Sequence, residues 1–376
     1  MIPSAHALSP YFDDRHRALS DRLQGLLGGS GEPLEGKDDP RAVGELLGGA
    51  WGLYGLLVPA PGEAVDVRSL VCVREALAGI SPLADSVFAV QGLGSHPLVR
   101  AGTASQRAVL ADLVAGRTVA AFALTEPEAG SDVASLRTTA RREGEGWVLD
   151  GEKCLISNVP TADYQVVFAN ADPSRGKKGI SAFVVPSEAP GLVRDPMALE
   201  GHCLGRLVMR GCRVGPEALL GEVGDGMRLA LETLDTFRVS VGAAANGMAA
   251  RALGLTVARV KSRVQFGEAL GSQQMVRAYV AEMATAVEAA RLLVARAAHA
   301  KDTGAPDASV VVAMAKMLAT ESAYRVIDQA VQLHGGSGVL DDSPLAKLSR
   351  AVRPLRIYEG TTEIQKLIIA RAVLGR

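Results

Sequence analysis

The chain has 376 residues, more than one ordinary hydrophobic core serves, so two or three domains are expected. Apolar residues make up 48% and aromatics only 4%, the balance of a helix-rich protein packed through aliphatic and small side chains. A net charge of −1 gives no reason to expect nucleic acid or an anionic membrane as partner. Cys72, Cys154, Cys203 and Cys212 show no CxxC spacing, and the six histidines form no HExxH, so neither a disulfide framework nor a metal site is indicated. The opening segment MIPSAHALSPYFDDRHRAL lacks a basic region followed by an apolar run, so no signal peptide is expected. No uncharged apolar run reaches membrane-spanning length; the candidate Val239 to Ala250 is too short and is flanked by Arg238 and Arg251. A soluble, cytoplasmic protein is the expectation.

From about residue 10 to 118 the pattern is mostly helical, with loops expected at Gly28 to Pro40 and around Pro59 to Asp66. Near Val119 the texture turns strand-like and stays so to about Gly224. LRTTARREGEGWVLDGEKCLIS predicts a hairpin with its turn at Glu143 to Gly146 and a second strand ending at Asp150-Gly151. Asp163 to Asn170 and Ile180 to Pro186 are further strands; with no helical crossovers between them, an antiparallel sheet or barrel is expected. Helical periodicity returns at roughly 225–262, 271–302, 306–334 and 361–375, as in a bundle. The expected fold is α+β and multidomain: an N-terminal all-α domain over 1–118, a middle antiparallel β-barrel-like domain over 119–224 and a C-terminal four-helix bundle over 225–376.

Four segments carry chemistry. In IYEGTTEIQ, Ile357 to Gln365, Gly360 interrupts helical continuity and Thr361 or Thr362 caps the next helix. Glu359 therefore sits just before a helix N-terminus, either aimed into a pocket or solvated at a hinge. In AFALTEPEAGSDVASL, Ala121 to Leu136, Gly130, Ser131 and Asp132 form a turn with exposed amides, and Thr125 and Ser131 suit hydrogen bonds to a flat heteroaromatic ring. In RVQFGEALGSQQ, Arg263 to Gln274, an arginine fork suits a pyrophosphate and Phe266 offers an aromatic surface; the plainer reading is a helix–helix turn. In QLHGG, Gln332 to Gly336, paired glycines allow close backbone approach or simply cap a helix; His334 is read as packed or hydrogen-bonded rather than as a base.

TEPEAGSD, then GEKCLISN from Gly151 to Asn158, then RVQFG, QLHGG and IYEGT resemble, in order and spacing, the signatures of the acyl-CoA dehydrogenase superfamily. The resemblance covers about 119 to 376; the first 118 residues match only loosely, and PAPGEA stands where the family has PxxxGG. It implies FAD held by Phe122, Leu124, Thr125, Gly130, Ser131, Leu155 and Ser157, and by Arg263, Phe266, Gln274, Gln332, Gly335, Gly336, Thr361 and Glu363, the Arg263 motif reaching a neighbouring subunit's FAD. It implies α,β-dehydrogenation of an acyl thioester, with Glu359 as α-proton base and hydride passing to flavin N5. Ser131, Asp235, Arg238, Tyr358 and Gly360 would contact substrate, with ion pairing or core packing as other roles for Asp235, Arg238 and Tyr358. Phe237 occupies the position where some relatives carry the base, which leaves that role to Glu359. Leu155-Ile156-Ser157 replaces the usual aromatic-Ile-Thr triplet, and Arg259 replaces a common tyrosine. The implied partners are an acyl-CoA or acyl-carrier thioester, an electron-transfer flavoprotein and further copies of the chain as dimer or tetramer. An oxygen-using acyl-CoA oxidase, a carrier-tethered dehydrogenase and an inactive flavin-binding subunit are the other readings.

Overall fold

The computed structural model describes residues 10–28, 34 and 37–375, so most of the loop expected between Gly28 and Pro40, and the first residues read for a signal peptide, lie outside the described residues. The N-terminal helices are α1 (Asp14–Leu26), α2 (Pro40–Glu45), α3 (Val67–Ile80), α4 (Pro82–Ala101), α5 (Ala104–Arg107) and α6 (Val109–Val114). Strands follow: β1 (Ala120–Ala123), β2 (Thr139–Glu143), β3 (Gly146–Ser157), β4 (Tyr164–Asn170), β5 (Ile180–Pro186), β6 (Leu192–Leu199), β7 (His202–Val214) and β8 (Leu219–Leu220). The C-terminal helices are α7 (Gly226–Ser262), α8 (Gln274–Asp302), α9 (Ala308–His334), α10 (Pro344–Val352) and α11 (Thr362–Leu374), with a small hairpin, β9 (Val264–Gln265) and β10 (Glu268–Ala269), between α7 and α8. The class is α+β: a helical N-terminal region, a middle sheet and a C-terminal helical domain. No helix among the described residues is long and apolar enough to cross a membrane.

The chain gathers into two compact units, one of residues 1–35, 66–85 and 238–376, the other of 36–65 and 86–237. In the first, α8, α9, α10 and α11 pack together and α3 joins α8. The low aromatic content has a structural counterpart here. The buried face of α9 is rich in alanine, with Ala315, Ala319, Ala323 and Ala330 beside Val326 and Ile327. Helices α3 and α7 meet at backbone distance: a Cβ on Gly247 would lie 2.0 Å from the Glu75 carbonyl oxygen. Short side chains let long helices approach closely, and the contact area replaces aromatic bulk.

The second unit is built on one sheet in the order β6-β7-β3-β2-β4-β5-β8. It is mostly antiparallel, as expected, but β1 runs parallel to β4, with Ala120 opposite Tyr164 and Ala123 opposite Val167. The chain leaves β1 through the long segment 124–138 rather than a tight turn, so its direction is not tied to that of the next strand. Strand alternation buries both faces. Val166, Phe168 and Ala182 join Leu98, Leu113 and Leu229 of helices on one side. Val167, Phe183 and Val185 join Leu207, Met209 and Cys212 on the other. The strand expected to stop at Asp150-Gly151 instead continues to Ser157, with register shifts against β7 after Leu149 and after Lys153. Gly151 takes φ +146, and a Cβ there would sit 2.6 Å from the Thr138 hydroxyl. The glycine bends the strand where it was expected to end it.

Candidate active site

In the first unit the polypeptide turns sharply before α11. Glu359 has φ +51, a left-handed conformation unusual for a residue with a side chain, and Gly360 follows at φ +92. Thr361 caps α11 by accepting from the Ile364 amide at 3.3 Å, which decides between the two expected threonines. The Thr362 hydroxyl instead donates to Glu321 Oε1 at 2.7 Å, and the Arg356 Nε donates to the same oxygen at 2.8 Å. Three donors hold the two carbonyls of the turn. Arg238 Nε donates to Glu359 O at 3.0 Å, while Lys316 Nζ and Gln365 Nε2 donate to Gly360 O at 2.8 and 2.9 Å.

The carboxylate itself is left free. Glu359 Oε2 is buried with no hydrogen-bond partner. Burial pushes the Glu359 carboxyl above the usual carboxylate range, against the pull of Arg74, Lys316 and Arg238, and Asp85 pushes in the same direction as burial. Behind it lies a buried ion pair: Arg74, 1% exposed, donates to both oxygens of Asp85 at 2.7 and 2.9 Å and to the Ser240 hydroxyl at 3.0 Å. Burial raises the Tyr358 phenol well above its ordinary range, and Arg74, which hydrogen-bonds it, opposes that rise. Lys316 is 0% exposed, and burial brings its ammonium down to about 8 although Glu359 favours the charge.

Other sequence-predicted residues of this unit lie at its surface. Arg263 is exposed beside the β9–β10 hairpin, whose turn holds Phe266 at φ +54 with 94% of its surface open. Gln274 begins α8 and is exposed, as are Gln332 and Glu363. Gly335, at φ +63, and Gly336 have no heavy atom within 4 Å of where a Cβ would be, an open strip of backbone. His334 Nδ1 lies 2.8 Å from the Ala330 carbonyl, a hydrogen-bonded residue as read from the sequence.

In the second unit, the TEPEAGSD segment is anchored from beneath by a pair the sequence reading did not assign. Lys153, 0% exposed, donates from Nζ to Glu126 Oε1 at 2.7 Å and to Leu124 O at 3.1 Å. Glu126 also accepts from the Arg137 and Thr138 amides. Burial works to raise the Glu126 carboxyl, but Lys153 and these amides outweigh it and hold it below the usual range; burial lowers Lys153 to about 8. The Cys154 amide donates to Thr125 O at 3.0 Å, so the loop and β3 are tied side by side. Leu155, at φ +57, leaves 58% of its surface open, while Gly130 has nothing within 4 Å of a Cβ position. Phe122 is half-buried, Leu124 is buried, Ser157 is half-buried and Ser131 is exposed. Phe237 is buried edge-on to His96, ring centroids 5.8 Å apart, a packing residue. Asp235 is half-buried on α7. A cavity of about 580 Å³ opens beside the loop, lined by Ser131, Asp132, Leu231 and a basic group, Arg175, Lys177 and Lys178. Those cations were not singled out from the sequence; the run RGKKG after Pro173-Ser174 was the available signal.

The family model for the acyl-CoA dehydrogenase middle domain matches residues 121–212, and that for the acyl-CoA dehydrogenase C-terminal domain matches 224–374. Cyclohex-1-ene-1-carbonyl-CoA dehydrogenase of Geobacter metallireducens is 37% identical over 331 residues, 86% of this chain and 87% of that protein. The chain belongs to the acyl-CoA dehydrogenase family. Among solved structures, butyryl-CoA dehydrogenase of Megasphaera elsdenii superposes with a TM-score of 0.88 at 32% identity, covering 96% of this chain and 99% of that one. A chain solved in work on the electron transferring flavoprotein of Acidaminococcus fermentans gives 0.90 at 33% identity, covering 97% and 99%.

Family members of this kind are FAD-dependent acyl-CoA dehydrogenases, and each unit, taken by itself, presents surface that suits part of a flat, phosphate-bearing dinucleotide. The second unit offers an exposed aliphatic side chain, Leu155, and open backbone at Gly130. The first offers an exposed arginine, an almost fully open phenylalanine and the bare Gly335-Gly336 strip. Leu155 and Phe266 each stand open on left-handed backbone, a strained conformation of the kind that clusters at ligand sites. Among the described residues no cluster of His, Cys, Asp or Glu suits a metal ion.

Proposed function

We propose that this acyl-CoA dehydrogenase oxidises the Cα–Cβ bond of an acyl thioester with Glu359 as the α-proton base. The observation that carries the reading is the state of that carboxylate: a half-buried residue whose carboxyl is raised in pKa against the pull of Arg74, Lys316 and Arg238, with Oε2 buried and bonded to nothing. A lone pair without a donor is free to receive a proton. A carboxyl pushed above its usual range is better matched to a weakly acidic C–H. Arg238 and Lys316 grip the backbone carbonyls of the turn, so the side chain is held without being blocked. Tyr358 presents an aromatic wall next to the base. The Glu359 amide is the donor we assign to the thioester carbonyl, where negative charge develops as the α proton leaves.

FAD, when bound, supplies the hydride acceptor. Phe122, Leu124, Thr125, Gly130, Ser131, Leu155 and Ser157 would face its ring system. Arg263, Phe266, Gln274, Gln332, Gly335, Gly336, Thr361 and Glu363 would serve its dinucleotide portion, partly in a neighbouring copy. Lys153 and Glu126 brace the ring-facing loop from within. Ser131, Asp235, Arg238 and Gly360 would contact the thioester, and reduced flavin would pass its electrons to an electron-transfer flavoprotein.

Anaerobic titration of purified protein with an acyl-CoA series, followed at the visible flavin band, tests this. Wild type is expected to carry FAD and bleach with some chain length, and Glu359→Gln to bind the same thioester without bleaching. Colourless wild type, or equal bleaching by both, would refute the reading. Running acyl-carrier thioesters alongside, with and without oxygen, separates the dehydrogenase from the carrier-tethered and oxidase variants.

A further inference from the structure

The cations around Glu359 are unusual in what they bond. Arg74 is matched by Asp85, bidentate, with Ser240 on a third donor. Arg238 donates to the Glu359 carbonyl. Lys316 lies wholly inside the helical unit, in the middle of α9, and the one hydrogen bond its ammonium makes among the described residues is to the Gly360 carbonyl. A buried ammonium with a neutral acceptor is costly, because a single carbonyl replaces little of its hydration. A leucine or methionine would fill the same space more cheaply. The lysine therefore calls for an explanation beyond packing.

The turn it holds supplies one. Glu359 and Gly360 are consecutive left-handed residues, a conformation that relaxes unless neighbours fix it. The Gly360 carbonyl accepts from Lys316 and Gln365 together, and Gln365 is itself 0% exposed. A Cβ on Gly360 would fall 2.5 Å from Gln365 Nε2, so the clamp closes directly over the turn. The charge and the hydrogen bond of Lys316 thus act on different groups: the bond holds the backbone, and the charge is felt by the carboxylate.

We infer that Lys316 is a positioning residue for α-proton transfer, clamping the Gly360 carbonyl with Gln365 to fix the Glu359 turn and leaving Glu359 Oε2 unoccupied. This rests on Glu359 being the base. The charged and titratable groups acting on Glu359 and Lys316 come from every side: Arg74 on α3, Asp85 on α4, Arg238 on α7, Glu321 on α9, Tyr358 before the turn and Glu363 on α11. Lys316, Arg74 and Arg238 favour the ionised carboxylate, and Asp85 opposes it. Removing the lysine charge raises the pKa of the base, so the acid limb of the rate profile moves to higher pH.

The test compares holoenzyme wild type, Lys316→Met, Lys316→Arg, Gln365→Leu and Glu359→Gln, measuring kcat and KM against pH with one acyl-CoA that wild type turns over. Flavin content and melting temperature are followed in each. Lys316→Met is expected to lower kcat roughly ten- to a hundred-fold through misplacement of the base, with KM little changed and the acid limb moved upward. Lys316→Arg, keeping the charge, returns the limb to its wild-type position. Gln365→Leu lowers kcat with the limb unmoved. Wild-type kcat and limb in Lys316→Met, with Glu359→Gln inactive, would overturn the clamp and leave the base standing; full activity in Glu359→Gln would overturn the base itself. Should Lys316→Met lose flavin or fail to melt cooperatively, the other two decide. Wild-type kcat in Gln365→Leu, or an acid limb moved upward in Lys316→Arg, would then overturn the clamp.

Discussion

Replacing Asp85 by asparagine isolates what the buried ion pair contributes. Arg74 and Asp85 are 1% and 2% exposed, and the guanidinium gives two parallel bonds, 2.7 and 2.9 Å, to the carboxylate. An asparagine keeps one acceptor but turns an amide donor toward the second guanidinium nitrogen. Arg74, which burial works to discharge and Asp85 holds charged, is left with its charge unmatched. Breaking one side of such a pair costs about 3–5 kcal/mol. Urea unfolding of the purified protein reads that loss as a lower midpoint. The double variant Arg74→Met with Asp85→Leu is expected to recover most of it, because the desolvation cost of both ions disappears with them. A catalytic readout accompanies the structural one. Asp85 pushes the Glu359 carboxyl up, so in Asp85→Asn the base ionises at lower pH and the acid limb of kcat moves down, opposite to the shift expected for Lys316→Met. A midpoint equivalent to less than about 1 kcal/mol of loss, or an acid limb that moves up, would refute the reasoning.

Glu126→Gln leaves Lys153 buried without its carboxylate and weakens the amide bonds to Arg137 and Thr138; a loss of about 2–3 kcal/mol is expected, with flavin lost more readily on gel filtration. Unchanged flavin content and melting temperature would show that the pair does not brace the loop. Gly247→Ala places a methyl 2.0 Å from the Glu75 carbonyl, so α3 and α7 must separate locally, at a cost of about 1–3 kcal/mol by thermal or urea unfolding. A neutral result would mean that the helices accommodate the methyl without strain.

The helices from Gly226 onward were legible in the sequence because their apolar spacing is long and uninterrupted, and α7, α8, α9 and α11 begin and end within a few residues of the expected bounds. Short α10 carried too few turns for its period to stand out. Gly151 misled the strand reading, since a glycine that bends a strand and one that ends it look alike without the partner strand. The parallel pairing of β1 was out of reach for a related reason: its partner β4 lies some forty residues on, and nothing local records direction. The site divides in the same way. Glu359, Gly360 and the threonine cap could be read from nine adjacent residues. Glu126 and Lys153 were visible as letters of two motifs but not as a pair, being 27 residues apart. The contacts of Glu359 with Arg238, 121 residues away, and its electrostatic coupling to Arg74, Asp85 and Lys316 exist only once α3, α7 and α9 are packed. Sequence motifs thus pointed to the carboxylate proposed as the base, while the groups that hold and tune it emerged from tertiary structure.

The central claim is that Glu359 removes the α proton. An acyl-CoA carrying sulfur in place of the β carbon has an α proton but no β hydride to lose, so the base step can be watched alone. Incubated with holoenzyme in D2O and followed by NMR, wild type is expected to exchange its α protons for deuterium, and Glu359→Gln to bind the analogue and leave them in place. Exchange at the wild-type rate in Glu359→Gln would contradict the account.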